Sequence, residues 1–95
     1  MTEEIQESSG DVFQDLGFSP GESEKLRIKA KLMATIETFI VEKKLTQAEA
    51  AELMGVSRPR VSDVVRGRIE KFTIDALVDM LTKAGFQIEI ATSAA

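Results

Sequence analysis

Five bases fall within fourteen residues of this chain: Arg58, Arg60, Arg66, Arg68 and Lys71, opposed only by Asp63 and Glu70. The local charge is +3 in a chain whose formal net charge is −4. A guanidinium is a planar fork of N–H donors that suits two-point contact with a phosphate, or with O6 and N7 of guanine. Ser57, Pro59 and Ser62 are interleaved with these bases, and Gln47 lies upstream. Hydroxyl and amide groups bond base edges or phosphate oxygens, and the apolar ring of Pro59 suits a thymine methyl. A single exposed arginine is ordinarily solvated surface, so it is the density of bases that needs a reason.

Other chemistries are poorly supplied. The chain has no His and no Cys, which removes the commonest general base, the commonest transition-metal ligand and every thiolate. Ser62 and Asp63 are neighbours with no base to activate the hydroxyl, and no Gly-rich loop leads into Lys-Ser or Lys-Thr. Glu3 and Glu4 are adjacent, in a stretch with no helical period to hold two carboxylates in register. No catalysis, no metal and no cofactor are therefore expected. Aromatics are five phenylalanines without Trp or Tyr, too few to build stacking platforms for single strands. No apolar run approaches the ~18 residues of a membrane span, and MTEEIQESSG lacks signal-peptide chemistry, so a cytoplasmic protein is expected.

The total charge hides an uneven distribution. Residues 1–22 hold six acids and no base, whereas residues 23–95 hold twelve bases and ten acids. An acidic arm precedes a mildly basic body. Val12, Phe13, Leu16 and Phe18 form an apolar cluster in that arm, suited either to lying on the domain or to binding a partner protein.

The body reads as a series of short helices. Ser19-Pro20-Gly21-Glu22 has Ser as cap, Pro at the first helical position and Glu three residues on. Leu26, Leu32, Met33, Ile36, Phe39 and Ile40 then recur at helical spacing, predicting a helix to about Lys43 or Lys44. Thr46 with Glu49 opens a second helix that Gly55 ends. Ser57 is placed to cap a third, with Pro59 in its first turn, Val61, Val64 and Val65 facing inward, and Gly67 at its end. Arg68–Phe72 is a loop anchored by Ile69 and Phe72. Thr73 opens a fourth helix with Ile74, Leu77, Val78 and Leu81 in a stripe, stopped by Gly85. Phe86, Ile88 and Ile90 alternate with Gln87 and Glu89, which predicts a short strand lying on its own domain or pairing with a second copy.

The second and third helices carry the pattern of a helix-turn-helix. Ala51 is small where two helices cross, Gly55 makes the turn, Val56 plugs the gap, and Val61 and Val64 anchor the following helix. In that motif the second helix enters the major groove with its N-terminal residues at the base edges. Candidate DNA contacts are Gln47, Ser57, Arg58, Pro59, Arg60, Ser62, Arg66 and Arg68. Arg58 is the first choice for a base. Asp63 suits a cytosine amine or braces Arg60 or Arg66, and the first-turn amides beside Gln47 suit a phosphate.

The segment LTQAEAAELMGVSRPRVSDVVRGRIEKFTIDALVDMLTKAG resembles the helix-turn-helix of phage-repressor-like, XRE-type regulators, and more narrowly the short HigA-type antitoxins. The resemblance spans roughly residues 11–90, including DVFQDLGFS before the first helix. It implies an all-α fold: a phage-repressor-like helix-turn-helix bundle of four to five helices, with an acidic N-terminal arm (1–19), a DNA-binding domain (20–90) ending in a short C-terminal strand, and a tail (91–95). It also implies a homodimer on double-stranded operator DNA that represses its own operon and pairs with a small RNase toxin of the RelE/HigB kind. Phe13, Leu16 and Phe18 are then the partner-binding residues. The alternative is a stand-alone repressor of the same family without a toxin. The chain departs from the resemblance at Arg58, where such proteins often carry Gln; Arg favours guanine where Gln favours adenine. Candidate dimer surfaces are the fourth helix, through Ala76, Met80 and Ala84, and residues 86–90.

Overall fold

A computed structural model describes residue 13 and residues 15–94. Residues 19–94 form four α-helices and one 3₁₀ turn: α1 (Pro20–Glu42), α2 (Gln47–Met54), α3 (Arg58–Val65), the turn Ile69–Lys71, and α4 (Ile74–Lys83). Most of the expected acidic arm, residues 1–12 and residue 14, lies outside the described residues.

Three helices start as their sequences require. The Ser19 hydroxyl accepts from the Glu22 amide at 3.2 Å and the Glu22 carboxylate accepts from the Ser19 amide at 3.3 Å. Thr46 and Glu49 repeat this reciprocal pair at 3.0 and 2.9 Å, and Thr73 accepts from the Ala76 amide at 3.1 Å. Each such cap stabilises its helix by about 1 kcal/mol. Ser57 differs: it stands at the cap of α3 with no side-chain cap bond.

All four helices end on one hydrogen-bond pattern. The Leu45, Val56, Arg68 and Phe86 amides donate back to Ile40, Ala51, Asp63 and Leu81 carbonyls at 2.9–3.0 Å. The residue before each donor takes a left-handed backbone: Lys44 at φ 55, Gly55 at 70, Gly67 at 73 and Gly85 at 98. This is the Schellman closure, which normally recruits glycine because a Cβ crowds the left-handed region. Lys44 is the non-glycine exception.

Hydrophobic spacing places the core where α1 crosses the rest. Met33, Ile36 and Ile40 of α1 meet Ala50, Ala51 and Met54 of α2, Val61 and Val64 of α3, and Phe72, Leu77, Met80 and Leu81. α1 packs on α3, α4 and the 3₁₀ turn, while α2 packs on α3 and α4. Burying a side chain such as Leu77 or Ile36 contributes about 1.5–3 kcal/mol.

Three expectations are corrected. Met80 is 1% exposed and belongs to the chain's own core, so it offers nothing to a dimer face. Val65 does not face inward; it is 38% exposed, because it lies about 100° beyond Val64 around α3 and passes the edge of the core. Among the described residues there is no strand: residues 86–94 are irregular, with Phe86 and Ile88 half-buried on the core and Ile90 84% exposed. An alternating segment becomes a strand only where a neighbour supplies its backbone partners.

The shared closure generates a paired prediction. Gly55→Ala places a Cβ in the left-handed region, 2.9 Å from Lys83 Cδ, whereas Lys44→Gly relieves the same strain. With about 1 kcal/mol at stake in each, thermal unfolding should shift by roughly 4–8 °C, downward for Gly55→Ala and upward for Lys44→Gly. Equal shifts of one sign would refute the account.

Candidate nucleic-acid interface

α3 turns its two faces to different surroundings. Val61 and Val64 are buried, and at about 100° per residue this directs Pro59, Ser62, Asp63 and Arg66 away from the core. Ser57, Arg58, Pro59, Arg66, Arg68 and Lys71 are exposed; Ser62 and Asp63 are half-buried. Gly67, left-handed at φ 73, reverses the chain after α3, and Arg68 and Lys71 follow on the short turn beyond it.

The start of α3 is electrostatically unusual within the chain. α1 and α2 each carry a glutamate in the first turn, closed onto the cap backbone. α3 has no acid there and carries Arg58 and Arg60 instead. Cations at the positive end of a helix dipole are unfavourable by roughly 0.3–1 kcal/mol apiece, and an anion docked there reverses the sign. The missing cap bond leaves the Ser57 hydroxyl free for an outside partner. The absence of an acid, and hence of a reciprocal capping-box bond, was visible in the sequence at position 60. The loss of the Ser57 bond itself was not, since Thr73 caps onto Ala76 without Glu or Gln.

Arg60 is placed differently from the other candidates. Its Nη1 donates to the Lys71 carbonyl at 3.0 Å, and its Cζ lies 4.3 Å from the centre of the Phe72 ring. It is half-buried on the flank of α3, not on the outward face. Sequence spacing put it beside the recognition face; the contacts turn it inward. Asp63 braces neither Arg60 nor Arg66: among the described residues the one ion pair is Arg27 with Glu24, on the exposed side of α1.

Gln47 is the first residue of α2 and is half-buried. The expectation of free amides around it is narrowed, because Glu49 takes the Thr46 amide and Thr46 takes the Glu49 amide. The Gln47 and Ala48 amides are what remains of that first turn for an anion. Lys83, which the sequence reading passed over, lies against the turn, its Nζ 3.1 Å from where a Cβ on Gly55 would stand.

The described end of the arm makes contacts of its own beside the start of α1. Leu16 and Phe18 amides both donate to the Phe13 carbonyl at 3.2 Å, and the Phe13 and Phe18 rings meet edge to face with centroids 6.5 Å apart. Phe13 is half-buried, Phe18 is exposed beside Lys25, Leu26 and Lys29, and Leu16 is 72% exposed. No helix among the described residues is long and apolar enough to cross a membrane.

A face of this make-up predicts a split between two substitutions. Arg58→Ala should relax preference at one base position by about 1–3 kcal/mol, while Arg66→Ala should leave preference intact and lower the salt slope of binding by about one. Titrating a selected operator and its point variants at several salt concentrations decides it. Unchanged base preference in Arg58→Ala would remove that residue from base reading.

Comparison with known proteins agrees with the geometry. A family model described as a helix-turn-helix domain matches residues 12–93. No curated protein matches the chain.

Proposed function

The chain belongs to the helix-turn-helix domain family, and from that premise we propose a sequence-specific DNA-binding antitoxin that represses its own operon and neutralises a small RNase toxin. A helix-turn-helix domain supports sequence-specific DNA binding through its second helix. The observation that carries the reading is the start of α3: an uncapped Ser57, exposed Arg58 and Pro59, and no acid in the first turn. Gln47, Ser57, Arg58, Pro59, Ser62, Arg66 and Arg68 are the proposed contacts, with Lys71 adding a phosphate.

The toxin half of the proposal rests on the arm. A protein that grips RNA presents a basic surface, and six acids in residues 1–22 attract such a surface. Leu16 and Phe18 are exposed apolar groups within that acidic stretch, suited to anchoring the contact. Co-purification with a C-terminal tag tests this, comparing the full chain with a version beginning at Ser19, which keeps the cap of α1. A small basic protein retained by the full chain alone is the expected result. Retention by both versions moves the toxin contact onto the helical body. DNA without any protein partner would make this a stand-alone repressor.

Specificity on DNA calls for two copies, since one helix-turn-helix reads only a few base pairs. We place the contact along residues 86–90, whose alternation suits antiparallel pairing with a copy of itself. Centring the pair on Ile88 sets Phe86 against Ile90 and Gln87 against Glu89, so all apolar side chains share one face. A register two residues on would oppose Glu89 to Glu89. In the favoured register Ile90 covers the partner copy's Phe86, which with Phe39 lines a shallow groove on α1. The chain has no cysteine of its own. Mild oxidation should therefore link Ile88→Cys to its copy, whose Cα lies within about 4.5–5.5 Å in such a pair, and leave Gln87→Cys monomeric. Equal cross-linking of both variants would overturn the register.

A further inference from the structure

Arg60 sits among candidate DNA contacts, yet its guanidinium is directed into the domain. We propose that Arg60 is a positioning residue: it ties the far end of the 3₁₀ turn to α3 and so sets where Lys71 stands relative to Arg58, Arg66 and Arg68. The inference rests on the DNA-binding reading above and assigns Arg60 a role that reading lacks.

The segment after α3 needs such a tie. Gly67 reverses the chain with φ 73, and only three residues, Ile69–Lys71, form the 3₁₀ turn. Its backbone bonds are local: Ile69 to Gly67 at 2.8 Å, Lys71 to Arg68 at 3.0 Å and Phe72 to Ile69 at 3.3 Å. Short 3₁₀ turns have poorer hydrogen-bond geometry than an α-helix. The start of the segment is fixed to α3 by the Arg68 amide on the Asp63 carbonyl at 2.9 Å, and Ile69 packs on the core, whereas Lys71 has no backbone bond to α3. Arg60 reaches across eleven residues of sequence to the Lys71 carbonyl at 3.0 Å.

The other side of the tie is a fixed surface. Phe72 is 2% exposed and locked into the core, and the Arg60 Cζ lies 4.3 Å above its ring. A planar guanidinium can stack on a ring and donate in its own plane at once; an ammonium cannot reproduce both contacts with the same geometry. The turn is thereby held by its last carbonyl and by the residue that follows it. Arg58, Arg66, Arg68 and Lys71 are all exposed, whereas Arg60 is half-buried between them. The separation of labour is geometric: four bases face outward, and the fifth holds Lys71 at its distance from the other three.

The test compares Arg60→Ala, Arg60→Lys and Phe72→Leu in the full chain, each first checked for native helical content. Without DNA, amide exchange at Lys71 and Phe72 should accelerate in all three, while Ile36 and Ile40 stay protected. On an operator selected with the parent protein, the salt slope should fall by about one, as expected when the Lys71 phosphate contact is misplaced, with base preference unchanged. In a Lys71→Ala background the further Arg60→Ala change should alter affinity less than about two-fold, because the group it positions is gone. A slope loss of about one that persists in that background and is rescued by Arg60→Lys would show a direct phosphate contact and overturn the proposal. Loss of preference at one base pair would overturn it too, in favour of base reading. Unchanged exchange at Lys71 and Phe72 would refute the tie itself. Should the parent protein select no DNA, the DNA-binding reading falls, and the exchange result still decides whether Arg60 holds the turn.

Discussion

The recognition helix is eight residues long, and so is the helix before it. Isolated helices shorter than about 12–15 residues are marginal in water, so neither persists on its own propensity. Both depend on one interaction: burial of Ala50, Ala51 and Met54 with Val61 and Val64 in the core shared with α1 and α4. α1, 23 residues long and capped at its start, brings Met33, Ile36 and Ile40 to that core and packs on α3, α4 and the 3₁₀ turn. Everything on the outward face of α3 inherits its position from those inward contacts. The charged surface is therefore only as ordered as the small apolar seam behind it.

The acidic total and the basic face are compatible once the charges are located. Glu22 and Glu49 are held at helix starts, where they satisfy backbone donors and the dipole. The start of α3 omits this device, and among these four helices it alone has no acid in its first turn. A net charge of −4 describes the sum and says little about the surface that another molecule meets.

Much of this architecture was legible because its determinants are local. Ser19 with Glu22, Thr46 with Glu49, and Gly55, Gly67 and Gly85 mark boundaries within a few residues of sequence, and the helices begin and end beside them. Where the outcome depends on what another element supplies, sequence reading failed. Residues 86–90 alternate like a strand, but the chain offers them no ladder among the described residues. Val65 and Met80 sit near the margins of their apolar stripes, where only the packed neighbour decides which side is in. Arg60 was grouped with its neighbours by charge, whereas a ring and a carbonyl eleven residues away determine its direction. The missing cap bond at Ser57 was not readable: Thr73 makes its cap bond with Ala76 at the same position, so the lack of Glu or Gln at position 60 excludes only the reciprocal bond.

The four matching helix closures bear on how this chain reaches its fold. Each reversal is sealed by a hydrogen bond spanning five residues, with the donor returning the chain toward the core. Turn formation therefore needs no distant contact, and the loop to be closed before the next helix can nucleate is short. Proteins dominated by such near-neighbour contacts fold on microsecond to millisecond timescales. Rapid refolding of this kind restores the reading surface soon after any transient opening, before the exposed apolar seam can find a partner in another unfolded chain.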